Sequence, residues 1–178
     1  DVLKQELNID LDRKLSDYAD RYKYAYSLVK KVNGLKVLDL GCGSGQSSVI
    51  LAKLGYHVNA CDISSKAIEI AKKRAVINQV EDKINFEVSS VEDLKFEDNS
   101  FDLVFGVGLL HHVNIEIASP EIKRVLKEGG EVVFIEPIVF SSVLDTIRHL
   151  KIVTMFVPDE GAEVLITEDE HQITKDEF

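Results

Sequence analysis

Residues 37–45 read VLDLGCGSG, a short apolar run followed by three glycines at alternate positions. The apolar run from Lys36 to Leu40 predicts a buried strand, and residues 47–54 predict a helix after it. Because glycine has no Cβ, a loop of this kind lets the backbone approach a ligand closely. Free N–H groups at the start of the next helix would then face polar or anionic groups of that ligand. The stretch therefore predicts a strand, a ligand-binding loop and a helix.

Strands and helices alternate along the rest of the chain. Ser64 or Ser65 begins a predicted helix that extends to about Asn78, and Pro120 begins one that extends to Leu126. This alternation is typical of an α/β fold, a doubly wound and mainly parallel sheet with helices on both faces. Four further apolar runs predict the remaining strands of that sheet, at 57–62, 84–88, 101–106 and 131–135.

One domain is expected for a chain of 178 residues. Residues 35–137 contain the alternating elements and are assigned as the ligand-binding core. Residues 1–34 have apolar side chains at helical spacing and are predicted to form an N-terminal helical lid. Residues 138–178 are a C-terminal extension in which 139–152 read as a helix and 152–157 as a strand or the continuation of that helix, and no convincing pair of strands is found. Four tyrosines either line the lid or face the core, namely Tyr18, Tyr22, Tyr24 and Tyr26.

Composition argues against several classes of function. The net charge of −10 disfavours a nucleic-acid partner, which normally requires a basic patch. No apolar run approaches the roughly 18–20 residues of a membrane-spanning helix, and the first residues do not resemble a secretory signal. Cys42 and Cys61 are too few for a disulfide framework and lack the spacing of a zinc site. We therefore expect a cytoplasmic protein with free thiols, without a metal ion, a nucleic-acid partner or a membrane contact.

Position 46 separates two kinds of glycine loop. The dinucleotide-binding loop reads G-x-G-x-x-G and requires glycine where this chain has Gln46. Asp62 ends the second predicted strand, where a carboxylate accepts hydrogen bonds from the two hydroxyls of a ribose. The alternative is that Asp62 caps the next helix, although Ser64 and Ser65 already offer caps. The loop and Asp62 together indicate a nucleoside ligand, and Gln46 argues against a dinucleotide.

Three segments resemble the class I methyltransferases that depend on S-adenosylmethionine. Residues 37–45 resemble the first signature of that family. Residues 96–113, which contain FDLV and LHHV, are similar to its fourth-strand region, and residues 126–133 resemble the start of its fifth strand. The order and spacing agree from about 35 to 137. The resemblance implies a Rossmann-like sheet and an enzyme that transfers the methyl group of S-adenosylmethionine, leaving S-adenosylhomocysteine.

The resemblance also implies which residues contact this cofactor. The loop glycines would line its methionine part and ribose, Asp62 would hold the ribose hydroxyls, and Ile63 would pack on adenine. Many relatives have an acid where this chain has Ser90, whose hydroxyl oxygen still accepts a hydrogen bond from the adenine amine. Val91 would donate its backbone N–H to the ring, and residues beyond the fourth strand would approach the methionine end. The expected cofactor-binding residues are Asp39, Gly41, Cys42, Gly43, Gly45, Asp62, Ile63, Ser90, Val91, Gly106 and Leu110.

Two side chains that follow strands are candidates for catalysis. The cofactor carries the activated methyl group, so the protein mainly positions the reactants and, for some acceptors, removes a proton. His111 and the adjacent His112 follow the fourth strand, and Glu136 follows the fifth. The candidates for a general base are His111 and Glu136, with His112 as the alternative to His111. The alternatives are a histidine that packs or caps a helix and a loop acid beside strand-breaking Pro137. The fourth-strand region lacks the double-proline motif of enzymes that methylate bases or glutamine, which favours a small-molecule acceptor.

Two other functions stay open. The first is a non-catalytic domain that binds S-adenosylmethionine and acts through a partner. One reason is Ser90, which replaces the acid that many relatives have at this position. The other is the region after 138, where the sixth and seventh strands of the family are not recognised. Either the sequence stops early or this region is remodelled. The second is an NAD-dependent oxidoreductase, against which Gln46 argues. The sequence identifies neither the acceptor nor the atom that is methylated.

Overall fold

A single parallel sheet organises the part of the chain that the computed structural model describes, which is 7–10, 25–29, 35–136 and the backbone of 152–155. Its strands are β1 (Lys36–Leu40), β2 (His57–Asp62), β3 (Ile84–Val88), β4 (Phe101–Val107), β5 (Leu126–Ile135) and β6 (Ile152–Met155). They lie in the order β3-β2-β1-β4-β5-β6, and each neighbouring pair is parallel. The order reverses between β1 and β4.

Helices connect most of these strands, as the sequence predicts. Among the described residues the longer helices are α1 (Gln46–Lys53), α2 (Ser65–Ile77) and α3 (Ile115–Val125), and short 3₁₀ turns cover Glu81–Lys83 and Leu110–His112. Ser64 caps α2 with its hydroxyl, which accepts a hydrogen bond from the N–H of Ala67 at 3.2 Å, and Asn78 ends the helix.

Two apolar layers cover the two faces of the sheet. Along a strand, successive side chains point to opposite faces, so Val37 and Leu38 belong to different layers. The first layer packs β1 and β2 against α1 and α2 and includes the buried Ile50 and Ile68. The second layer packs β4 and β5 against α3 and includes Ile122. The expected doubly wound α/β fold with helices on both faces is thereby confirmed.

Two element boundaries differ from the sequence-based prediction. The third helix begins at Ile115, before Pro120, because the side chain of Asn114 caps it by accepting a hydrogen bond from the N–H of Glu116 at 3.0 Å. The prediction that Pro120 opens this helix is therefore wrong. The fifth strand begins at Leu126, which pairs with Phe101, and the ladder resumes at Glu131, which pairs with Leu103. Residues 127–130 form an irregularity in this ladder that the sequence did not indicate.

The two ends of the chain are described only in part. Tyr26 is buried and stacks on Phe105 with ring centroids 5.3 Å apart, so this tyrosine faces the core. Tyr18, Tyr22 and Tyr24 lie outside the described residues, and the N-terminal lid stays a prediction. At the other end, β6 pairs with β5 in the region where no convincing pair of strands was expected. None of the described helices is long and apolar enough to cross a membrane.

Candidate active site

The carboxyl ends of the parallel strands bring the predicted site residues to one edge of the sheet. Gly41 follows β1, Asp62 ends β2, Gly108 follows β4 and Glu136 follows β5. The strand order reverses between β1 and β4, in the middle of this edge. In open α/β sheets this is the place where ligands bind.

The three loop glycines have positive φ angles and different surroundings. A Cβ added to Gly41 (φ 62°) would lie 2.7 Å from Cδ1 of Leu109. One added to Gly45 (φ 79°) would lie 2.7 Å from Cβ of Ala71 on α2. At Gly43 (φ 50°) the same Cβ would meet no atom within 4 Å among the described residues. Packing against the backbone of α2 therefore excludes a side chain at Gly45. The contact at Gly41 is with the end of the Leu109 side chain, and Gly43 has open space beside it.

Asp62 connects the end of β2 to this loop. Its Oδ2 accepts a hydrogen bond from the N–H of Gly43, and its Oδ1 accepts one from the N–H of Ser64, both at 2.8 Å. The side chain that caps α2 is that of Ser64, so the predicted alternative role of Asp62 as the helix cap is already filled. Each carboxylate oxygen keeps capacity for a further hydrogen bond, as two ribose hydroxyls would require.

Two of the expected cofactor-binding residues, Asp39 on β1 and Cys42 in the loop, are buried. Asp39 is buried, and its Oδ2 accepts a hydrogen bond from Oγ of Ser48 at 2.5 Å. Burial raises the pKa of Asp39 to about 7, opposed by the hydrogen bond from Ser48 and reinforced by the charge of Asp62. Burial also raises the pKa of the Cys42 thiol beyond its ordinary range and that of Cys61 to about 12. Both thiols are therefore protonated at neutral pH, and Asp39 anchors the start of α1.

An exposed apolar surface lies beside Asp62. The side chain of Ile63 is 78% exposed, and Val88, which pairs with Asp62 across the β2–β3 ladder, is 51% exposed. Ser90 accepts a hydrogen bond from the N–H of Glu92 at 3.2 Å through its hydroxyl, and Val91 is buried. An apolar surface next to a carboxylate has the combination that a base and its ribose require.

Gly106 and Leu110 lie deeper than the loop. A Cβ added to Gly106 would come 2.6 Å from the ring of Phe134, so packing against β5 requires glycine here. Leu110 is buried in the second apolar layer. Neither position shows an open side of the kind that Gly43 has, and their expected approach to the methionine end stays a prediction.

The two candidate catalytic residues contact each other. Nδ1 of His111 lies 2.9 Å from Oε2 of Glu136, and Oε1 of Glu136 accepts hydrogen bonds from the N–H groups of Leu109 and Leu110. The ring of His112 lies beside that of His111, with centroids 3.9 Å apart. Glu136 thus holds the loop after β4 and orients one imidazole.

Sequence reasoning missed three residues that shape the site. Leu109 packs on Gly41, Ser48 binds Asp39, and Phe134 covers Gly106. Only Ser48 had a local signal, because it lies in the first turn of the helix that follows the buried Asp39. Within the described ranges no group of three or more His, Cys, Asp and Glu side chains is arranged to hold a metal ion.

Comparison with known sequences supports one family. The profile of the methyltransferase domain family matches residues 38–134, more than half of the chain. A ubiquinone/menaquinone biosynthesis C-methyltransferase of Rhodopseudomonas palustris is 33% identical over 145 residues, 77% of this chain and 56% of that protein. A ubiquinone biosynthesis O-methyltransferase of Pelagibacter ubique is 37% identical over 102 residues, 57% of this chain and 41% of that protein. The chain spans about half the length of such relatives.

Comparison with solved structures agrees. An S-adenosylmethionine-dependent methyltransferase from Mesorhizobium loti superposes with a TM-score of 0.57 and 28% identity, covering 67% of this chain and 54% of the other. The predicted resemblance to methyltransferases that depend on this cofactor is confirmed by these matches. The chain belongs to the methyltransferase domain family.

Proposed function

We propose that this chain binds S-adenosylmethionine and transfers its methyl group to a small-molecule acceptor. The observation that carries the proposal is the open side of Gly43, whose N–H is held by Asp62 at the adjacent strand end. A backbone without a Cβ and a carboxylate then lie together at the edge where α/β sheets bind nucleosides.

The described residues fit this cofactor. Asp62 would bind the ribose hydroxyls, Gly43 would allow close approach of the loop backbone, and Ile63 would cover one face of the adenine. Asp39 and Ser48 would keep α1 and the loop in place from below. When bound, S-adenosylmethionine supplies a methyl group on a positively charged sulfur, which is the chemical activation that the reaction needs. The task of the protein is to align an acceptor with that methyl carbon and to exclude water.

The acceptor is assigned as a small molecule. The relatives described above are named for C- and O-methylation in quinone biosynthesis, which supports a small organic acceptor and leaves its atom open. The net charge of −10 disfavours a nucleic acid. The free, buried thiols of Cys42 and Cys61 accord with a cytoplasmic location, which stays part of the proposal.

Calorimetry separates this proposal from the two alternatives. S-adenosylhomocysteine, S-adenosylmethionine and NAD are titrated into the protein, and methyl transfer to a panel of small acceptors is then measured. We expect both sulfur nucleosides to bind and NAD not to bind. Binding of NAD without S-adenosylhomocysteine would reject the proposal in favour of an oxidoreductase. Tight binding of S-adenosylmethionine without transfer to any acceptor would favour the non-catalytic domain.

Asp62→Ala should lose most of the affinity for S-adenosylhomocysteine. The change removes the acceptor of two charge-assisted hydrogen bonds to ribose, each worth roughly 1.5–3 kcal/mol, so the dissociation constant should rise about 100-fold or more. It also frees the N–H of Gly43, which loosens the loop. Isothermal titration measures the effect.

The matched control is Asp82→Asn, which removes an exposed acid on the turn before β3. It changes the net charge by the same amount, and affinity should stay near that of the unaltered protein. Unchanged affinity in Asp62→Ala, with circular dichroism showing a folded protein, would refute the ribose role.

A further inference from the structure

One carboxylate fastens the loop that follows β4. Oε1 of Glu136 accepts hydrogen bonds from the backbone N–H groups of Leu109 and Leu110 at 2.8 and 2.9 Å, and Oε2 lies 2.9 Å from Nδ1 of His111. The two backbone contacts already hold the loop in place. The third contact does something more, because it fixes the orientation of an imidazole ring.

This arrangement also fixes which ring nitrogen of His111 carries the proton. A carboxylate only accepts hydrogen bonds, so Nδ1 must be the donor. A neutral imidazole has one N–H and one nitrogen with a free lone pair. Nε2 of His111 is therefore left as the acceptor nitrogen, on the side of the ring away from Glu136.

The dyad lies at the ligand-binding edge. Leu109, at the start of the same loop, packs on Gly41 of the glycine loop. The side chain of His111 is 33% exposed, whereas that of Glu136 is 18% exposed. The imidazole is thus accessible to a small molecule, while the carboxylate behind it is more enclosed.

We propose that His111 is the general base for the acceptor, that Glu136 is its positioning residue, and that the acceptor carries an acidic proton on oxygen or on an activated carbon. The proposal rests on the proposed function, since it assigns the proton transfer in the same reaction. An acceptor with a free lone pair and no proton to lose, such as a tertiary amine, would gain nothing from this pair.

For an acceptor X–H, the proton passes to Nε2 of His111, while the electron pair of X forms the bond to the methyl carbon. The bond between that carbon and the sulfonium sulfur breaks, and its electron pair remains on sulfur. The products are X–CH₃, the neutral thioether and an imidazolium paired with Glu136, which releases its proton to water.

Nuclear magnetic resonance of ¹⁵N-labelled histidine tests the positioning without any acceptor. In the unaltered protein with S-adenosylhomocysteine added, His111 should be the Nδ1–H tautomer. In Glu136→Gln, the amide oxygen is needed by the two backbone N–H groups, so the NH₂ group faces the ring and donates to it. The tautomer should then invert to Nε2–H. A ring that is Nε2–H in the unaltered protein, or that does not change in Glu136→Gln, would overturn the positioning role.

Kinetics test the base and the class of acceptor. The probes are catechol, acetylacetone, aniline and trimethylamine, and turnover should occur with the first two. His111→Ala should lower kcat on the order of 100-fold, with a much smaller change in KM, and added imidazole should restore part of the loss. Turnover confined to the amines, no turnover with any of the four, or an unchanged kcat in His111→Ala would overturn the proposal.

His112→Gln is the matched control, because it removes the neighbouring, exposed imidazole and leaves the contact with Glu136 intact. Its kcat and the tautomer of His111 should remain those of the unaltered protein. The two levels of inference fail differently. If the unaltered protein does not bind S-adenosylhomocysteine, the proposed function fails. If binding is normal and no acceptor is methylated, the proposed methyl transfer fails as well. If binding and turnover are normal and the tautomer, the class of acceptor or the effect of His111→Ala disagrees, only the role of the dyad fails.

Discussion

Gly45→Ala should destabilise the protein by about 2–4 kcal/mol, because it combines an unfavourable backbone angle with a steric clash. The residue has a φ angle of 79°, which costs a non-glycine residue about 1 kcal/mol or more. Its new Cβ would lie 2.7 Å from Cβ and 3.0 Å from Cα of Ala71. The Cα of Ala71 belongs to helix α2, so relief requires the helix to move. Chemical denaturation followed by circular dichroism measures the change.

Gly43→Ala is the matched control within the same loop. Its φ angle of 50° imposes a similar backbone cost, but the added methyl group meets open space. We expect it to lose only about 1 kcal/mol of stability, which is the backbone cost alone. It should nevertheless lose affinity for S-adenosylhomocysteine, because the methyl group occupies the space proposed for the ligand. Equal losses of stability in the two variants, or full affinity in Gly43→Ala, would contradict this account of the loop.

Asp39→Asn should become more stable relative to the unaltered protein as the pH rises. Burial raises the pKa of Asp39 from 3.8 to about 7 in the folded protein. Below about pH 4 the carboxyl is protonated in the folded and the unfolded protein, so its ionisation does not change the free energy of unfolding. Between that pH and about 7 it ionises only in the unfolded chain, which favours unfolding, and above 7 the effect levels off. The advantage of the variant should therefore grow by about 4 kcal/mol across this window.

Urea denaturation of both proteins between pH 4 and pH 8 measures this difference. Asp102→Asn is the opposite case, because Asp102 accepts hydrogen bonds from Lys127 and from the N–H of Lys36. Although burial would raise the pKa of Asp102, these partners outweigh it and lower the pKa. Asp102→Asn should thus be less stable than the unaltered protein at neutral pH, and this difference in the free energy of unfolding should shrink as the pH falls and Asp102 becomes protonated. A constant difference between Asp39→Asn and the unaltered protein at all pH values would contradict the buried-carboxyl account.

Local signals were sufficient to predict most of the core. The bounds of β2 and β3 agree with the apolar runs at 57–62 and 84–88, because each run of strand-forming residues is flanked by polar turns. Ser64 or Ser65 was predicted to begin α2, and the cap is Ser64; such a prediction is possible because an N-cap depends on the chain beside it. The three glycines and Asp62 were found for the same reason, as each belongs to a strand-end motif.

Contacts between distant segments could not be predicted in this way. The start of α3 was predicted at Pro120, whereas the structure begins the helix at Ile115, after the cap at Asn114. His111 and Glu136 were proposed separately, but they are 25 residues apart, and only the pairing of β4 with β5 brings them into contact. The packing of Leu109 on Gly41 likewise depends on strand order, which no local pattern specifies.

The position of Leu109 has a consequence for the order of events during turnover. Its side chain lies against Gly41 in the proposed donor pocket, and its N–H is held by Glu136 beside the proposed base. A ligand that shifts the glycine loop must therefore also disturb the loop that orients His111. Coupling of this kind is reciprocal: the factor by which the bound methyl donor changes the affinity for the acceptor equals the factor by which the bound acceptor changes the affinity for the donor. We therefore expect the affinity for the acceptor to change when S-adenosylhomocysteine is bound, and titration of the acceptor with and without this ligand measures the change.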